Sequence, residues 1–98
     1  MAGYFIANYD VTDPVAYQAY TAAVRATLDG SGVEVLVADY NAQPMEGQPG
    51  KISVVLKFAS KAAALVWYNS PAYQAIVHHR LLNTEGSAIL VEGFAPPA

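Results

Sequence analysis

Three of the four strand-like stretches in this 98-residue chain carry apolar residues on both sides. Val33, Val35 and Val37 oppose Leu36 and Ala38; Ile52, Val54 and Leu56 oppose Val55; Ala88 and Leu90 oppose Ile89 and Val91. A sheet with one face in water alternates apolar with polar residues, so a sheet made of these strands expects cover on both faces. Helices of the same chain can cover one face. The simplest cover for the other is a second copy, because most soluble oligomers are symmetric dimers. Composition agrees: 13% of the residues are charged, about half the usual share, which leaves little charge to solvate a full monomer surface.

The order of elements follows from local signals. Gly3 to Val11 alternates, with Phe5, Ala7, Tyr9 and Val11 on one side and Tyr4, Ile6, Asn8 and Asp10 on the other, as in a strand. Thr12-Asp13-Pro14 supplies a side-chain cap and a proline at the first helical position, predicting a helix to about Asp29 that Gly30-Ser31-Gly32 ends. Val33 to Tyr40 reads as a strand, Asn41 to Gly50 as a loop, and Lys51 to Phe58 as a strand. Ser60 caps a helix to about Tyr68; Asn69-Ser70-Pro71 breaks it and starts a second piece to about Leu82. Asn83 to Gly86 reads as a loop, Ser87 to Glu92 as the last strand, and 94–98 as an irregular tail. The order β-α-β-β-α-β predicts one α+β domain over residues 1–98, ferredoxin-like, with a four-stranded antiparallel sheet and both helices on one face.

Several classes of function are disfavoured. Zero cysteines exclude disulfides, a thiolate nucleophile and Cys-based metal sites. Five basic against eight acidic residues, with no basic cluster, argue against nucleic-acid and anionic-membrane partners. No apolar run approaches a membrane span and the N-terminus lacks a signal-peptide pattern, so the expected location is cytoplasmic. No phosphate-cradling glycine loop, dinucleotide fingerprint or nucleophile motif occurs, and no cofactor is expected.

The run Phe58-Ala59-Ser60, Ala63-Ala64, Trp67-Tyr68, Ser70-Pro71, Tyr73-Gln74 and Arg80 resembles the signature region of the DUF1330 proteins. Gly3-Tyr4, Asp13 with Tyr17 and Tyr20, Glu46-Gly47 and Glu92-Gly93 extend the likeness over nearly the whole chain. It implies a small bacterial domain that forms a dimeric α+β barrel. Related barrels include cofactor-free monooxygenases, haem-degrading enzymes and small-molecule isomerases, an analogy of fold alone. The chain departs from the family where Ser31-Gly32-Val33 replaces a usual Gly-Gly-Arg and Lys57-Phe58-Ala59-Ser60 a usual Glu-Phe-Pro-Ser.

Among chemistry-bearing residues, Arg80 stands in the apolar stripe of Tyr73, Ile76 and Val77, where a guanidinium requires an anion. Either Glu46, Glu85, Glu92 or Asp10 pairs with it, or it binds a ligand carboxylate or enolate bidentately. His78 and His79 are adjacent and point about 100° apart on a helix, so no metal site is expected. His79, at the edge of the apolar face, is the acid/base candidate. Tyr17, Tyr20, Tyr68 and Tyr73 with Trp67 serve either as core or as walls of an aromatic pocket. Asn8 belongs to that pocket if its face meets the helices. Gly47 allows Glu46 to fold back over the barrel mouth. The expected function is a small-molecule-binding homodimer: either a cofactor-independent enzyme, monooxygenase- or isomerase-like, acting on a small acidic or conjugated metabolite, or a non-catalytic binding module.

Overall fold

The computed structural model describes residues 1–95. Its elements are β1 (Gly3–Val11), α1 (Pro14–Leu28), β2 (Glu34–Asp39), β3 (Ile52–Phe58), α2 (Lys61–Tyr68), the one-turn helices α3 (Pro71–Gln74) and α4 (His78–Leu81), and β4 (Thr84–Glu92). The strands form one antiparallel sheet in the order β2-β3-β1-β4, a ferredoxin-like α+β arrangement. Phe94 and Ala95 carry no regular structure, and the rest of the expected irregular tail lies outside the described residues.

The helix starts are local chemistry. Asp13 Oδ1 accepts from the Ala16 N–H at 3.1 Å, Ser60 Oγ from Ala63 at 3.0 Å and Ser70 Oγ from Tyr73 at 3.2 Å. Each satisfies an amide that the first helical turn leaves without a partner. The stretch after Pro71 differs from the single helix expected. Ile76, His79 and Arg80 donate to carbonyls only three residues back, and this tighter winding divides it into α3 and α4. Tyr73, Val77 and Arg80 nevertheless remain on one buried side.

Strand β4 also begins earlier than expected. Thr84, Glu85 and Gly86 pair with Val11, Asp10 and Tyr9 rather than forming a loop. Gly86 is extended in a sense open to glycine, with φ of 156°, and a Cβ there would lie 2.2 Å from the Asn8 carbonyl oxygen. This glycine allows close strand approach; it does not make a turn.

The sheet has two distinct faces. Phe5, Ala7 and Tyr9 join Ile52, Leu56 and Phe58 beneath the helices, with Trp67, Tyr73 and Val77 packed above them. On the other face Val37, Val55, Ile6 and Ile89 lie side by side across all four strands. Strand β2 reaches this arrangement through a bulge. Val35 pairs with Leu56 and Val37 with Val55, leaving Leu36 as the extra residue. Simple alternation would place Val35 and Val37 on one face; the bulge places Val35 with Ala38 toward the helices and Val37 on the other side.

Candidate functional site

Helix α1 rests on α3 and α4 and leaves a cavity of about 470 Å³ between itself and β1, β2 and β3. Its stripe Tyr17, Tyr20, Val24 and Leu28 forms the roof; Phe5, Ala7 and Tyr9 with Val54 and Leu56 form the floor. The volume and mostly apolar walls suit a small organic ligand.

Tyrosines build one end. The Tyr9 and Tyr17 hydroxyls lie 2.5 Å apart and those of Tyr20 and Tyr73 2.9 Å apart, each pair sharing a hydrogen bond. The Tyr17 and Tyr20 rings stack at 5.8 Å between centroids. Burial pushes the Tyr9 and Tyr20 hydroxyls well above the usual phenol range and raises that of Tyr17, so all three remain protonated at neutral pH.

Arg80 enters from α4 into this tyrosine end. It is 5% exposed, and its guanidinium carbon lies 5.8 Å from the ring centroids of both Tyr9 and Tyr20, a cation–π arrangement. Its buried Nε has no hydrogen-bond partner. Burial pulls the guanidinium pKa down, but the oxygens of Tyr73, Tyr20 and Tyr9 more than offset this, and the group stays charged.

The ion-pair alternative finds no partner among the described residues. Asp10 accepts from the Lys51 N–H at 2.9 Å. Glu46 and Glu85 are exposed, and exposed Glu92 pairs with Gly3 at the far end of β1 from Tyr9. Arg80 is therefore a buried cation that lines the cavity and whose Nε–H has no partner among the described residues.

The structure brings Arg80, Tyr20 and Trp67 together at the cavity. Tyr73 stands behind Tyr20, fully buried and bonded to its hydroxyl. Trp67 is held by its indole N–H, which donates to Thr27 Oγ1 at 3.1 Å. The other three candidates lie elsewhere. Asn8 is on the face away from the helices, where its amide donates to Gly50 and Ile52 carbonyls and Ser53 Oγ and accepts from the Gly50 N–H. Glu46 is exposed on its loop, and His79 is half-buried on α4 outside the cavity wall. Tyr17 belongs to the aromatic group expected from the sequence, whereas Tyr9 does not. Tyr9 is visible in the alternation of β1, but its importance depends on which face the helices cover. No cluster of three metal-ligating side chains occurs among the described residues.

The model of a family described as a domain of unknown function, DUF1330, matches residues 2–94. The chain is a DUF1330 protein. No curated protein matches it. Among solved structures, a protein of unknown function from Rhodopseudomonas palustris superposes with a TM-score of 0.78 at 16% identity, over 97% of this chain and 84% of that one. A dimeric protein of unknown function and ferredoxin-like fold from Bacteroides fragilis gives 0.63 at 13% identity, over 94% and 96%. A candidate antibiotic biosynthesis monooxygenase from Nitrosomonas europaea gives 0.56 at 11% identity, over 98% and 94%. At such identities the DUF1330 chain shares a fold with these proteins.

Proposed function

We propose that this DUF1330 protein is a cytoplasmic homodimer that binds a small acidic or conjugated metabolite in the cavity under α1, with Arg80 as its anchor. The observation that carries this is the buried guanidinium, which faces the cavity with an unpartnered Nε and no carboxylate beside it. A carboxylate or enolate placed there gains charge-assisted hydrogen bonds in a region screened from water. The protonated tyrosine hydroxyls add donors for the same negative charge.

The site also suits cofactor-independent chemistry of the monooxygenase or isomerase kind, a reading that draws on the fold shared with the candidate monooxygenases. A cation and neutral phenols around a conjugated acid stabilise its enolate, so the substrate's own electronics would carry the reaction. A non-catalytic binding module would use the same anchor without turnover. Homodimer formation is supported by the apolar row across the open sheet face and by the dimeric relative.

Isothermal titration with 2-naphthoate tests the anchor. Arg80→Gln is expected to weaken binding by at least about tenfold, the usual effect of losing a charged hydrogen bond, and Arg80→Lys by less. Equal affinity in folded wild type and Arg80→Gln would refute the anchor.

A further inference from the structure

The polarity of the cavity is graded from one end to the other. At the inner end stand Arg80 and the hydroxyls of Tyr9, Tyr17 and Tyr20. At the outer end the walls are hydrocarbon: Val24 and Leu28 of α1 face Val33, Val35 and Leu56 of the sheet. The outer rim is formed by Gly30 and Gly32, where a Cβ would meet nothing within 4 Å. The charged residues that line the cavity besides Arg80 are Arg25 and Asp29, one helical turn apart on α1 and both exposed. They carry opposite signs, so between them they offer no net positive charge to a second anionic group.

From this gradient we infer that the ligand class is an anionic amphiphile: a monocarboxylate whose charge sits at one end and whose remaining body is an apolar chain or alkyl-substituted ring. This rests on Arg80 as anchor and extends it by specifying the rest of the ligand. The head binds Arg80 beneath the tyrosines, the body runs between α1 and β2, and a long tail leaves past Gly30 and Gly32. A dicarboxylate of similar length would place its second charge beside Val24, Leu28 and Leu56, apolar groups that offer it no hydrogen bond.

A titration series on the wild-type protein tests the class without a variant that could misfold. The probes are hexanoate, octanoate, decanoate, hexanedioate and octanol. Affinity is expected to rise about fourfold per methylene while the chain fills the cavity and to level off once the tail passes the rim. Hexanedioate should bind at least tenfold more weakly than hexanoate, and octanol at least tenfold more weakly than octanoate. A Leu28→Ser variant should weaken decanoate more than hexanoate. Affinity independent of chain length, or hexanedioate equal to hexanoate, overturns the amphiphile while 2-naphthoate binding that still depends on Arg80 leaves the anchor standing. Octanol equal to octanoate overturns both, as does an Arg80→Gln protein that binds octanoate and 2-naphthoate like the wild type.

Discussion

Asn8 meets every demand of its amide inside the protein, with three acceptors for its N–H groups and the Gly50 N–H at 2.7 Å on its oxygen. It clamps the entry to β3 against β1 at a point where a Cβ on residue 50 would lie 2.2 Å from the Tyr9 backbone. Arg80 is more deeply buried, yet keeps an Nε with no partner. An amide that is satisfied serves the fold, whereas a buried cation left unsatisfied carries a cost that a ligand can offset. Asn8→Ala is therefore expected to lower stability by about 2 kcal/mol in urea denaturation and to leave 2-naphthoate affinity unchanged. A loss of affinity without loss of stability would return Asn8 to the site. The sequence identified both residues as polar groups in apolar surroundings. It could not separate their roles, because Asn8's partners are 42 to 45 positions away.

At the level of elements, α1 meets β1 through phenols. Tyr9 of β1 and Tyr17 of α1 share a hydrogen bond, and Tyr20 of α1 reaches Tyr73 of α3. Burial raises the folded-state values of Tyr9, Tyr17 and Tyr20 above 10.0, their ordinary value. Their contribution to stability is thus complete below pH 10 and is lost as pH rises through the folded values. Alkaline titration followed by ultraviolet absorbance should show Tyr9, Tyr17 and Tyr20 ionising only together with loss of helical circular dichroism. Their ionisation near pH 10 in a folded protein would contradict the packing. The elements most legible in the sequence are those fixed locally, namely β1 by alternation and α1 and α2 by their caps. The early start of β4, the bulge at Leu36 and the division of α3 from α4 were not legible, since each is set by a neighbouring strand or by winding that propensity does not encode. The cavity is of this second kind. Its roof residues form a readable stripe, but its depth depends on how far α1 stands from the sheet.

At the scale of the whole molecule, the face of the sheet away from the helices is left uncovered by the described residues. Ile89, 55% exposed, and Val37 flank Ile6 and Val55 in a continuous apolar row, the pattern of a surface that another subunit covers. Light scattering during gel filtration should give twice 10.4 kDa for the wild type, and Ile89→Lys should give a folded monomer. A wild-type monomer at micromolar concentration would contradict a covered face. Arg80 lies on the other side of the sheet, and it is directly observable because the sequence contains only two arginines, Arg25 and Arg80. The decisive measurement is the nitrogen–proton correlation spectrum of the arginine Nε–H groups during titration with octanoate. The Arg80 signal should be the slower of the two to exchange with solvent and should move downfield as its N–H gains an acceptor, while exposed Arg25 stays in place. An Arg80 signal that does not move at saturating octanoate would contradict the account.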